Sequence, residues 1–140
     1  MAELGNTRRV YIVTGDGSTY TVLKGEQNNN VNRSAESIDI SDKDTGAWGN
    51  TMPGKKSLTL DVTVYTDGTD EQQKAMLKAF YKDQIVKVFV GKLGEGNTPA
   101  EGEAFEAVIT SIGDTNDAGA VATRSMSLAS KGAPTLYPEA

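Results

Sequence analysis

Val31–Thr66 reads VNRSAESIDISDKDTGAWGNTMPGKKSLTLDVTVYT, and its pattern decides the fold class. From Lys56 to Thr66 the chain alternates strictly. Leu58, Leu60, Val62 and Val64 share one parity, and Ser57, Thr59, Asp61 and Thr63 share the other. A period of two with one apolar face is what a half-buried β-strand requires. Upstream, Ser37-Ile38-Asp39-Ile40-Ser41 repeats the pattern more briefly and closes a strand expected over Val31–Ser41. Its apolar residues change parity between Ala35 and Ile38, which predicts a bulge or twist near Ser37. Between the two strands, Asp42–Lys55 contains Gly46, Gly49, Pro53 and Gly54, residues that interrupt regular structure, together with Trp48, the sole tryptophan. A connection of this length is usually functional or disordered. Its indole needs a partner, either on its own domain or on another molecule.

Working outward, the N-terminal side offers a hairpin. Arg8–Thr14 (RRVYIVT) and Ser18–Lys24 (STYTVLK) flank Gly15-Asp16-Gly17, a turn in which glycine supplies positive φ. The polar GEQNNN of Gly25–Asn30 reads as a turn, and Met1–Thr7 as an arm. On the C-terminal side, Thr69–Lys82 (TDEQQKAMLKAFYK) carries helical periodicity, with Gln73, Met76, Leu77 and Phe80 as the inward stripe. Thr69 and Gln72 are spaced for a capping box, Asp70 and Glu71 suit the positive end of the helix dipole, and Lys74, Lys78 and Lys82 line the solvent side. Strands are then expected at Gln84–Gly91, Glu103–Ile112 and Ala120–Ser130, separated by a glycine-rich connection over Gly91–Gly102 and a turn over Gly113–Gly119. Gly132–Ala140 reads as an exposed tail. About seven antiparallel strands and one flanking helix make the chain a mainly β domain, a β-sandwich or flattened barrel.

Composition removes several classes of chemistry. The 140 residues suffice for one sizeable core, and no linker or internal repeat divides them. A net charge of −5 argues against a nucleic-acid-binding face. The chain has no cysteine and no histidine, so thiolate chemistry, the commonest general base and the commonest metal ligand are all missing. No apolar run approaches a membrane span, and Met1-Ala2-Glu3-Leu4 lacks the features of a signal peptide, so synthesis in a cytoplasm is expected. Asp39, Asp42 and Asp44 cluster beside Gly46. Counting from Asp42, however, the twelfth position is Pro53, not the glutamate a calcium loop demands. Glu101, Glu103, Glu106 and Asp114 could form a carboxylate pair, but no aromatic platform accompanies them. Gly91-Lys92-Leu93-Gly94-Glu95-Gly96 is not followed by a helix and therefore fails as a phosphate loop. Asn32-Arg33-Ser34 is a glycosylation acceptor without a secretion signal. No catalytic residue, cofactor or metal is expected.

The order Ser34-Ala35-Glu36, Ile38-Asp39-Ile40-Ser41, Lys43-Asp44, Gly46-Ala47-Trp48 and Met52-Pro53-Gly54, followed by an alternating strand, resembles the major tail proteins of long-tailed bacteriophages. The resemblance implies a single tail-tube domain over residues 1–140, with an N-terminal arm (1–7), a long loop (42–55) and a C-terminal tail (132–140). It also implies a structural virion subunit rather than an enzyme. Copies would form hexameric rings joined edge to edge and stacked into a hollow tube. Implied partners are further copies of the chain, a tape measure protein and a tail terminator, with duplex DNA passing through the lumen unbound and no membrane involved. The location implied is the virion tail after synthesis in a bacterial cytoplasm. The inter-subunit contacts expected on this reading are Ile38, Asp39, Asp42, Asp44, Trp48, Met52, Pro53 and Lys55, with Trp48 as anchor. The acidic balance suggests a carboxylate-lined lumen that repels phosphates over roughly 8–10 Å. Two alternatives are a tube subunit of a related contractile injection or secretion machine, and a monomeric β-sandwich that binds sugars or peptides. The latter would show exposed aromatic clusters, and aromatics make up only 6% of this chain.

Overall fold

A computed structural model describes residues 8–14, 19–44, 46 and 48–137. The expected arm over residues 1–7, the Gly15-Asp16-Gly17 turn, Thr45, Ala47 and the last three residues of the tail lie outside the described residues. In chain order the elements are β1 (Arg9–Thr14), β2 (Thr19–Val22), β3 (Glu26–Asp39), β4 (Thr51–Tyr65), α1 (Glu71–Tyr81), β5 (Ile85–Leu93), a 3-10 turn (Glu95–Asn97), β6 (Pro99–Thr115), β7 (Thr123–Ser130) and β8 (Thr135–Tyr137).

The mainly β domain with one helix is as expected, and its strands belong to a single antiparallel sheet in the order β2-β1-β5-β6-β7-β4-β3, with β8 added to β6. Only three residues separate β2 from β3, yet these strands occupy opposite edges of the sheet. The sheet must therefore roll until its edges meet. Side chains bridge the seam: Val10 N donates to Glu26 Oε1 at 2.9 Å, and Asn29 Nδ2 donates to the Arg8 carbonyl at 3.2 Å. The result is a flattened, incompletely closed barrel.

Its interior is filled as the alternation of β4 dictates. Leu58, Leu60, Val62 and Val64 are all buried, against Val10, Ile12, Leu23, Val88, Phe105, Ile109, Met126 and Leu128. Each such side chain contributes about 1.5–3 kcal/mol on burial. Helix α1 adds Met76 and Ala79 to this core, while Leu77 and Phe80 of the expected stripe are half-buried. Gln73 is buried too, and its amide is fully used. It donates to the Tyr65 carbonyl at 2.9 Å and accepts from Asp67 N at 3.1 Å, which ties the helix to the end of β4.

Several boundaries differ from expectation, each for a local reason. The N-cap is Asp70, not Thr69: the Thr69 hydroxyl is taken by Asp67 Oδ1 at 2.7 Å, and Asp70 Oδ1 accepts from Gln72 N. The asparagine run is strand, not turn, because it pairs with Asp61, Val62 and Thr63 of β4. Thr51–Lys55 is also strand, so the long connection shrinks to residues 40–50. Pro53 is tolerated because β7 pairs with β4 only from Thr59 onward, which leaves this part of β4 with a single neighbour. The bulge expected near Ser37 exists, but its extra residue lies in β4: Ala35 faces Lys56 while Ser37 faces Pro53. The tail is partly strand, since β8 pairs with Gly102–Ala104 and the Tyr137 ring meets Phe89 edge-to-face at 5.9 Å.

Candidate assembly surfaces

Beyond the rows that β7 covers, β3 and β4 continue as a two-stranded arm with nearly every side chain exposed. The expected contact residues gather at its end. Ile38 pairs with Met52, Asp39 with Thr51, and Ser37 with Pro53. Ser41 and Asn50 close the tip. The Ile40 amide donates to the Asn50 carbonyl at 2.9 Å, and the Asn50 amide donates to Ser41 Oγ. Asp39 Oδ1 accepts from Ser41 N at 2.8 Å, which holds its carboxyl below the usual range, and Asp42 Oδ1 accepts from Asp44 N at 2.9 Å. These aspartates act as turn-forming acceptors. Among the described residues no cluster of acids is placed to hold a metal ion. Trp48 is 88% exposed, so it does not fold back onto its own domain. Ile38, Ile40 and Met52, each more than two-fifths exposed, lie at the same end of the arm, so with Trp48 the tip presents an apolar crown. Pro53 and Lys55 are exposed on the shaft behind it.

Two further surfaces were not singled out in the sequence. The first is the outer face of β3, β4, β7 and β6. Ten residues alternating with the core there are Asn28, Asn30 and Asn32, then Thr59, Asp61 and Thr63, then Ser125 and Ser127, then Ser111 and Gly113, and Tyr65, Ala129 and Val108 share their parity. Short hydroxyl and amide side chains dominate, and they bond across the strands. Ser127 Oγ donates to Asp61 Oδ1 at 2.6 Å, Ser34 and Ser57 share a 2.6 Å bond, and Thr63 and Ser125 a 3.3 Å one. Asp61 is the only ionisable group among those ten. Both sides of this four-stranded strip end in unpaired backbone. On β6, β5 reaches only to Val108, and among the described residues no strand lies beyond β3. The signal for this face is present in the polar parity of Ser57–Thr63, which by itself does no more than complement the core.

The second is a groove of about 600 Å³ at the foot of the arm. Ala35, Leu58, Ala133 and Pro134 give it apolar walls, with Arg33, Lys56 and Glu103 around it. Both Nε and Nη2 of Arg33 donate to Glu103 Oε1, the former at 2.8 Å, and this ion pair bridges β3 and β6. Glu103 Oε2 is buried without a hydrogen-bond partner. Two other acids of the expected carboxylate group are also engaged, Glu101 with Arg8 and Lys92, and Asp114 with Arg124 Nε at 2.7 Å, while Glu106 is exposed on β6 opposite Lys87 of β5. They are dispersed groups rather than a catalytic couple. Among the described residues no helix is long and apolar enough to cross a membrane.

Solved structures share this fold. A chain from the tail of an empty gene transfer agent particle, refined with C6 symmetry, superposes with a TM-score of 0.80 at 18% identity, covering 96% of this chain and 98% of that one. A chain of the SPP1 tail tube gives 0.75 at 19% identity over 92% of this chain and 76% of that one. A chain of the anti-feeding prophage baseplate gives 0.69 at 10% identity, covering 94% and 93%. No curated protein matches by sequence. A family model described as phage tail tube protein matches residues 5–136, nearly the whole length. The chain therefore belongs to the phage tail tube protein family, whose members are structural subunits of tails.

Proposed function

We propose that copies of this chain close into hexameric rings by pairing β3 of one subunit with β6 of the next, and that the rings stack into the tube through which duplex DNA leaves the virion. The observation that carries this is the four-stranded polar strip with an unpaired edge on each side. Unpaired edges are a liability in a monomer and a joint in an assembly. The strip has an even number of alternating strands, so a rotated copy presents β3 antiparallel to β6, like every other pairing in the sheet. Such a head-to-tail joint forms a ring when the rotation closes. The body of each subunit, with β1, β2, β5 and α1, lies on the core side of the strip. Bulk on that side favours the outer circumference, which leaves the bare polar face to line the lumen.

On this reading the lumen wall is hydroxyl and amide rather than carboxylate. DNA would pass because the wall offers no lysine or arginine to capture phosphates, the step that dominates non-specific binding. The tape measure protein and the tail terminator are the remaining partners, and the virion tail is the site of action after synthesis in the host bacterium. Greater likeness to the gene transfer agent and SPP1 tails than to the anti-feeding prophage supports a phage-type tail over a contractile injection machine. Negative-stain imaging of concentrated protein tests the reading. Six-fold rings or tubes are expected, and a constant 14.8 kDa species at every concentration overturns it.

A further inference from the structure

The arm carries an apolar crown at one end and an apolar groove at the other, and its own geometry keeps the two apart. From Ala35 at the groove to Ile40 at the tip the strand extends by about 17 Å, at roughly 3.3 Å per residue. A paired ladder cannot double back over that distance, so the crown can reach a groove only on another copy. The two surfaces also match in chemistry. Trp48, Ile38 and Met52 are apolar and exposed, and Asp39, Asp42 and Asp44 surround them with negative charge against the single Lys43. The groove has walls of Ala35, Leu58, Ala133 and Pro134; Arg33 there is paired with Glu103, so its net positive charge comes from Lys56 and from Lys131 beside its Ser130–Gly132 wall. A volume of about 600 Å³ accommodates an indole and a neighbouring aliphatic side chain.

We propose that the Trp48 crown of a subunit in one ring seats in the Ala133–Leu58 groove of a subunit in the adjacent ring, and that this knob-in-groove contact is what stacks rings into a tube. The assignment rests on the tube reading above and names the receptor for the arm. A knob and a groove at different places on one surface make a heterologous contact. Repeated along the arm, it propagates as an open filament rather than closing on itself. A tryptophan anchor buried in a pocket and ringed by contacts that exclude water is also the usual composition of an energetic hot spot.

Trp48 is the sole tryptophan, so its fluorescence reports the contact directly. Wild-type emission should shift to shorter wavelength as tubes form. Ala133→Phe fills the groove while leaving Trp48 in place. It should give folded subunits, with wild-type circular dichroism and thermal midpoint, that form rings but no tubes and keep the red-shifted emission of the monomer. Trp48→Ala should likewise stop at rings. Tubes of normal length from Ala133→Phe, or wild-type tubes whose Trp48 emission matches the monomer, overturn the groove assignment while leaving the ring reading intact. A wild-type protein that never forms rings overturns both.

Discussion

Gly91 of β5 and Gly102 of β6 stand opposite each other, with φ of +149° and +146°. A Cβ on Gly91 would lie 2.1 Å from the Glu101 carbonyl oxygen, and one on Gly102 would lie 2.2 Å from that of Val90. The Phe89 ring occupies the remaining space over Gly102. Gly102→Ala should therefore lower stability by about 1–3 kcal/mol, the range for a residue forced into a sparsely allowed backbone region. Gly113→Ala, where a Cβ meets nothing within 4 Å, is the control and should change the denaturation midpoint little. A second residue-level effect depends on pH. The Asp67 carboxyl is held below its ordinary 3.8 chiefly by the Thr69 hydroxyl and amide. A depressed folded-state value means this stabilisation is complete above the unfolded value and is lost as pH falls through the folded one. Asp67→Asn should thus flatten the fall in thermal midpoint below about pH 4 while changing its pH dependence near neutrality little. The same aspartate explains why the cap is Asp70 and not Thr69. Thr69 and Asp70 are both good N-caps by composition. Only the fold shows that Asp67 already engages the Thr69 hydroxyl, which leaves the role to Asp70.

At the scale of elements, legibility followed the number of neighbours each strand has. β4 from Leu58 onward is paired on both sides and covered on one face, and its alternation gives its buried residues and, to within one residue, its C-terminal end. The arm obeys no such rule. Exposed on nearly every side chain, it needs no apolar periodicity, so Thr51–Lys55 carries no strand signal, and Pro53 and Gly54 argue against one. What keeps the arm extended is its ladder to a single partner, with the extra residue of the bulge accommodated near Gly54. A Cβ there would meet Glu36 Cβ and Ile38 Cδ1 at 3.1 Å, so Gly54→Ala should disturb the tip and not the core. The expected outcome is an unchanged thermal midpoint with faster amide exchange confined to residues 36–41 and 50–55, which hydrogen-exchange mass spectrometry resolves. The helix behaves in the opposite way, because its N-terminus is docked on β4 through Gln73. Asp70→Ala should cost about 1 kcal/mol of global stability, and Thr69→Ala less, as read from paired chemical denaturations.

At the scale of the whole molecule, net charge does not say where charge lies. A balance of −5 suggests a carboxylate-lined hole, yet several acids are engaged elsewhere, in ion pairs with Arg8, Arg33 and Arg124 or as turn acceptors at the tip of the arm. The face proposed for the lumen holds Asp61, bonded to Ser127, among neutral neighbours. Composition reports a sum, whereas strand register decides which residues share a surface, and register was not legible before the bulges in β3, β4 and β6 were placed. This leads to a prediction that belongs to the assembled tube alone. Ser125 lies on the exposed parity of β7, between Thr63 of β4 and Gly113 of β6, so Ser125→Lys adds a cation to the wall without touching the core. Every ring would then present one lysine per subunit to the lumen. Short duplex DNA sedimented with wild-type tubes should remain in the supernatant at low salt. With Ser125→Lys tubes it should be retained, and retention should fall steeply as salt rises, because phosphate capture releases counterions. A lysine on the outer wall would also bind DNA, but that DNA would be open to nuclease, whereas DNA held in the lumen is shielded. Nuclease-sensitive retention would place this face on the outside of the tube, and with it the ring geometry inferred from the two unpaired edges would fall.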